Sequence, residues 1–117
     1  MITIKKTKEY IEQDKQNWSL YLMNFVDDFR YYKDKESIRE GIQYTDEKID
    51  PLLASTVEYL CDELKLDWPD WTAKIPACVN PYFVSGVENL KALSLAQSPL
   101  VFRIRKIFVL DNFLERC

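Results

Sequence analysis

One apolar stripe at helical spacing dominates the first third of the chain and limits what it can become. Ile11, Trp18, Leu22, Phe25, Phe29 and Tyr32 follow one another at intervals of 7, 4, 3, 4 and 3, the recurrence that lines one face of an α-helix. Tyr10, Tyr21 and Val26 flank the stripe, so the inward face is broad and aromatic, whereas Asp14, Lys15, Asp28 and Lys33 fall off it. The spacing predicts a helix over about Thr7–Lys33. It either runs the length of the domain or breaks near Asp14, inside the polar run from Glu12 to Asn17.

A second stripe, Leu53, Val57, Leu60 and Leu64, widened by Leu52 and Cys61, predicts another helix that ends by Lys65. Asp50 suits a cap and Pro51 a first helical position, where the missing N–H would have no partner anyway. Alternatively the helix starts near Thr45 or Asp46 and Pro51 kinks it. Between the two stripes, Asp34 to Asp50 is the most polar part of the chain. Ser37-Ile38-Arg39-Glu40 has the form of a capping box there, but Gly41 follows at once, so a connector with a one-turn helix is expected. Ser85-Gly86-Val87-Glu88 is a second capping box. It opens a helix through about Gln97, with Val87, Leu90, Leu93 and Ala96 inward.

Ser98 as cap and Pro99 in the first turn suit a helix to about Lys106, although the alternation Phe102-Arg103-Ile104-Arg105 equally suits a strand. Ile107-Phe108-Val109 reads as extended, and Asp111 as the cap of a last turn, Asn112 to Arg116. Leaving Phe102, Ile104, Ile107, Phe108, Val109, Phe113 and Leu114 in water would expose more apolar surface than a soluble monomer tolerates. The tail is therefore expected to dock, with Ile107 and Phe108 buried. Arg103 and Arg105 are expected at its edge, within reach of helix C-termini or of acidic residues on the first helix.

The expected fold is all-α: a single compact domain, residues 1–117, of about four to five helices. An irregular aromatic and Pro-rich connector and the docked tail complete it. The expected core is Trp18, Leu22, Phe25, Phe29, Leu53, Val57, Leu60, Leu64, Leu90 and Leu93.

Composition narrows the function classes. The 117 residues suit one domain, and 47% hydrophobic content with two glycines excludes a disordered or collagen-like chain. Nineteen acidic against sixteen basic residues leave a net charge of −3, which repels polyanions. The chain has no histidine, the commonest general base and metal ligand. Cys61, Cys78 and Cys117 are scattered with no C-x-x-C pair, as for buried or incidental thiols in a reducing cytosol. Asp27-Asp28 and Asp46-Glu47-Asp50 read as solvated helix faces, since neighbours on a helix point about 100° apart. No catalytic residue, cofactor or metal site is expected. No apolar run of signal-peptide length follows Lys5-Lys6, and the longest wholly apolar stretches, such as Ile107 to Leu110, are far short of a membrane span. A cytoplasmic protein with no membrane partner is the expectation.

Two groups of residues are candidates for partner binding. Trp68 and Trp71 bracket Pro69, and Tyr82-Phe83 follow Pro81. They form either an aromatic groove for a peptide or a stacked base, or plugs for the ends of the helix pack. Arg103 and Arg105, with Lys106, form a basic cluster suited to a phosphate or to internal carboxylates and carbonyls.

From Ile49 onward the order of elements resembles a known group. An apolar helix (Leu52 to Leu64) is followed by Leu66-Asp67-Trp68-Pro69-Asp70-Trp71, then Pro81-Tyr82-Phe83, then Ser98-Pro99-Leu100-Val101-Phe102-Arg103. Arg105-Lys106-Ile107-Phe108-Val109 and Asn112-Phe113-Leu114-Glu115-Arg116 complete the pattern. It is similar to small uncharacterised bacterial proteins with a P-x-W element, an aromatic Pro-x-Phe element and a C-terminal SP-xx-FR-x-R-x-IFV-xxxx-L-x-R tail. This chain has Lys106 where the group has a small or amide residue, and Phe113 where a small one is usual. Some members look like antitoxin-like partners of nucleotidyltransferase-type proteins in toxin–antitoxin-like gene pairs. The resemblance implies a protein partner, the product of an adjacent gene, and transfers no catalytic residue. The leading expectation is thus a non-catalytic bacterial protein-interaction domain, the antitoxin-like member of such a pair. The alternative is a nucleic-acid-binding regulator using Arg103–Lys106.

Overall fold

A computed structural model describes residues 2–84, 90–110 and 113–115. The first stripe forms two helices. In α1 (Ile4–Gln13) the hydroxyl of Thr3 accepts the Lys6 N–H, and Ile4, Thr7, Lys8 and Ile11 turn inward. The helix stops at Asp14, and a 3-10 turn (Lys15–Asn17) leads into α2 (Trp18–Tyr32). The break therefore falls at Asp14, and the helix starts before Thr7 because Thr3 caps it. Hydrogen bonds from the side chains of Asn17 and Tyr21 reach the Asp14 carboxylate and hold its pKa below the usual carboxylate range.

α2 buries Leu22, Phe25, Val26 and Phe29. The short α3 (Glu36–Arg39) does not use the Ser37–Glu40 capping box. Asp34, two residues before its first residue, accepts the Glu36 N–H, while the Ser37 hydroxyl donates back to the Asp34 carbonyl. α4 (Ile49–Leu64) likewise begins two residues earlier than Asp50 as a cap would place it. Asp46 accepts the Lys48 and Ile49 N–H groups at 2.8 Å each. Burial opposes the charge of Asp46, but these bonds and the Lys15 ammonium outweigh it, so its carboxyl titrates below the usual range. Pro51 sits within the first turn, where no N–H is needed.

Nearly every side of α4 is covered: all residues from Asp50 to Glu58 are buried, and so are Leu60 and Cys61. It is the central helix, with α2 and a later short helix, Leu100–Arg103, packed on it. It closes in a Schellman arrangement, Leu66 N–H to Cys61 O and Lys65 N–H to Asp62 O, with Lys65 left-handed at φ 58°. A 3-10 turn (Asp70–Lys74) follows, then β1 (Tyr82–Phe83), α5 (Lys91–Gln97), α6 (Leu100–Arg103) and β2 (Ile107–Phe108).

β1 and β2 pair in parallel, Tyr82 opposite Ile107 and Phe83 opposite Phe108, with α5 and α6 making the crossover that parallel strands need. The fold is mostly α, with this one small strand pair among the described residues. The segment Arg103–Lys106 is the end of α6 and a turn, not a strand. Ser98 does not cap α6. Its hydroxyl donates to the Ser94 carbonyl and accepts the Val109 N–H at 2.9 Å, which pins the tail to the end of α5. The tail is docked: Phe102, Ile107, Val109 and Leu114 are buried, Phe108 is half-buried against Phe83, and Ile104 is exposed. The expected box at Ser85–Glu88, with Val87, and the Asp111 cap of the last turn lie outside the described residues, as does Cys117.

One hydrophobic cluster holds Ile4, Leu22, Phe25, Phe29, Leu53, Val57, Leu60, Phe102 and Ile107 among others. Of the expected core, Trp18, Leu64 and Leu90 are only half-buried and Leu93 is 44% exposed. α5 is a short surface helix whose one buried residue is Ser94, so its leucines have no facing layer. Among the described residues no helix is long and apolar enough to cross a membrane.

Two substitutions check this packing. Leu60, with no exposed surface, should lose about 2–5 kcal/mol on Leu60→Ala in urea denaturation. Lys106 has φ 61°, a left-handed conformation that glycine adopts without penalty. Relief of a left-handed penalty of about 1–2 kcal/mol exceeds glycine's entropic cost of about 0.5–1 kcal/mol, so Lys106→Gly is expected to raise stability by about 0.5–1 kcal/mol in the same assay.

Candidate partner-binding face

The six residues expected to meet a partner go to different places. Arg105 goes inside. Its guanidinium forms a two-pronged pair with Glu58 of α4, Nη1 to Oε1 and Nη2 to Oε2, the latter at 3.1 Å. Nη2 also donates to the Thr72 carbonyl at 2.7 Å, Nη1 to the Ser55 hydroxyl at 3.3 Å and Nε to the Ile75 carbonyl at 3.3 Å. Five N–H donors thus meet five acceptors, the full capacity of the group. Arg105 is buried, not at the edge of the tail, and its carboxylate lies on α4, not on the first helix. It is not available to a partner. Arg103 is exposed and donates to the Ser98 carbonyl at 3.0 Å, at the C-terminus of α5, as a cation at a helix end should.

A second buried pair lies at the start of α4. The Lys8 ammonium is 2.9 Å from Asp50 Oδ1 and 3.0 Å from Oδ2. The first contact is off the hydrogen-bond line, so Oδ1 receives charge and not a directed bond. Lys8 also donates to the Gln43 carbonyl, and Asp50 Oδ2 accepts the Thr45 and Asp46 N–H groups. The sequence reading missed both pairs. No local signal marked them, because the same helix also carries the exposed carboxylates Asp62 and Glu63.

Trp71 is half-buried and structural. Its indole N–H donates to the Ile38 carbonyl at 2.7 Å. Its side chain lies so close to Gly41 that a Cβ there would come within 2.6 Å of the ring, which is why a side-chain-free residue follows α3. Trp68, three residues earlier, is 44% exposed, and its N–H is held at 2.7 Å by Asp62 Oδ1. It stands between two surface hollows. One, of about 570 Å³, runs to Trp71 and Ile38. The other, of about 460 Å³, lies between the end of α4 and the start of α6, lined by Tyr59, Asp62, Glu63, Trp68, Pro99, Leu100 and Val101.

Tyr82 and Phe83 do not join this face. They are half-buried in β1, with Lys48 over the Tyr82 ring and Lys91 over the Phe83 ring. Leu100, 71% exposed, is a wall of the smaller hollow that the sequence reading assigned to no role. Its signal was the spacing to Ile104, also exposed: the Ile104 N–H donates to the Leu100 carbonyl, so both side chains share one outward face.

Cys61 and Cys78 are buried thiols. Burial, together with the nearby Asp62 and Glu58 carboxylates, pushes Cys61 up to about 11, and burial also raises Cys78. Among the described residues no histidine, cysteine or carboxylate side chains converge as a metal-ligand set. Compared with protein-family models, with curated proteins and with solved structures, the chain has no match.

The Arg105–Glu58 pair makes a directional prediction. Arg105→Met strands a buried carboxylate and should cost about 3–5 kcal/mol, whereas the double variant Arg105→Met/Glu58→Met should recover much of that loss. Equal or greater destabilisation of the double variant in denaturant titrations would refute the pairing energetics.

Proposed function

We propose that the protein is a non-catalytic protein-interaction domain, the antitoxin-like member of a bacterial toxin–antitoxin-type gene pair. The observation that carries the reading is Trp68, a large aromatic ring left accessible between two hollows and fixed by its own N–H bond. Rigid, partly exposed tryptophans are the residues that interfaces use as anchors. The resemblance of the tail supplies the kind of partner. One departure from that group has a structural counterpart: where its members carry a small or amide residue, Lys106 is left-handed, the conformation such residues adopt most readily. The basic segment offers less to a nucleic acid. Arg105 is spent inside, and Arg103 is engaged with carbonyls, which leaves Lys106 as its one exposed cation with no partner among the described residues.

Co-expression with the product of the adjacent gene tests the reading. The two proteins should co-elute, and Trp68→Ala should weaken the complex by about tenfold or more without altering the melting temperature substantially. A strictly monomeric chain that ignores its neighbour's product would overturn it.

A further inference from the structure

We propose that the hollow beside Trp68 receives a partner segment that inserts a bulky apolar side chain and lays an arginine next to it. This rests on the reading of the chain as an interaction domain and names the face and the chemistry of its partner. The apolar half of the argument is the lining. Buried Val101 and half-buried Tyr59 supply the deeper surface, while Trp68, Pro99 and the protruding Leu100 supply the walls. Trp68 is held in place by Asp62 before anything binds, so its ordering entropy is already spent.

Charge supplies the other half. Among the described residues the lining contains two carboxylates and no cationic side chain. Glu63 is neutralised: Arg30 binds it through Nε and Nη2, each at 2.8 Å, and uses Nη1 on the Leu114 carbonyl. Asp62 is half-used. Oδ1 accepts the Trp68 N–H, and among the described residues no donor reaches the second oxygen, which can take an incoming one. An arginine can pair with that oxygen while its guanidinium lies on the indole face, where the ring quadrupole attracts it. The larger hollow selects no sign of charge. Lys35, Arg39 and Lys74 there face Glu36, Asp67 and Asp70, and the Trp71 indole is committed to Ile38 and Gly41.

Selection from a displayed library of random peptides on the intact chain tests the proposal, with the enriched peptides then measured in solution. They should carry a large aliphatic or aromatic residue close to an arginine or lysine. Leu100→Asp should weaken them by about tenfold or more. Asp62→Asn keeps an acceptor for the Trp68 N–H but removes the charge, and should weaken them several-fold, less so at high salt. Both positions are exposed, and unchanged melting curves verify that the fold is intact. Enriched peptides rich in Asp and Glu, or peptides whose affinity neither substitution alters, overturn the proposal but leave the interaction reading standing. No enrichment above background also overturns it, and if the adjacent gene's product fails to bind as well, the broader reading falls with it.

Discussion

The Arg105–Glu58 pair is the contact through which the distant parts of the chain are joined. One guanidinium bonds the middle of α4 at Ser55 and Glu58 and the connector at Thr72 and Ile75. Taking both ions out of water costs several kcal/mol each, and the attraction between them offsets this only when every donor is satisfied. That condition is met at all five N–H groups, and it can be met only with the tail in one position. The consequences run along the backbone. The Arg105 carbonyl accepts the Cys78 N–H at 2.9 Å and the Lys106 carbonyl the Tyr82 N–H at 2.8 Å. The left-handed turn at Lys106 then sends Ile107 inward beside β1. The strand pair, short as it is, follows from where one arginine must sit.

Lys8–Asp50 does for the N-terminal helix what Arg105–Glu58 does for the tail. Asp50 and Glu58 are eight residues apart on α4, about 12 Å along the axis. The two pairs therefore brace one helix near its start and in its second half. This explains how α4 can carry charged side chains and still be covered on nearly all sides. Its apolar residues meet α2 and α6, and its two buried charges each meet a cation from a segment far away in sequence. Apolar contacts alone tolerate small slips of one helix along another. A hydrogen-bonded ion pair does not, because a slip strands a buried charge. In this chain the pairs set register while the leucines and phenylalanines supply the driving force.

Periodicity made the helices legible. Leu22, Phe25, Phe29, Leu53, Val57 and Leu60 are buried as their spacing requires, and the break at Asp14 falls in the polar run that announced it. Caps were less legible, since several residues near each helix start could serve. Asp34 and Asp46, not Ser37 and Asp50, accept the free N–H groups. The misread core positions share a cause. Leu90 and Leu93 have helical spacing, but spacing says which residues share a face and not whether another element covers that face. The buried ions were the least legible feature. Lys8 is 42 residues from Asp50 and Glu58 is 47 from Arg105, and nothing local distinguishes those side chains from solvated ones.

The same limit governs the candidate face. Trp68 and Trp71 are equivalent in the sequence, two rings on either side of Pro69, each with a single N–H to satisfy. What separates them is the acceptor. Trp71 finds the Ile38 carbonyl across the fold, and reaching it lays the ring against Gly41. Trp68 finds Asp62, at the end of the helix just before it, and can satisfy its N–H while keeping much of the ring at the surface. Burial of a tryptophan stabilises a fold through its area. A chain that instead ties a second tryptophan to its own surface, beside a leucine 71% exposed, forgoes that stabilisation and leaves a stiff apolar wall facing solvent. Such a wall is stabilised only when something apolar covers it, and under the proposal made above the Asp62 carboxylate beside it selects the charge of what does.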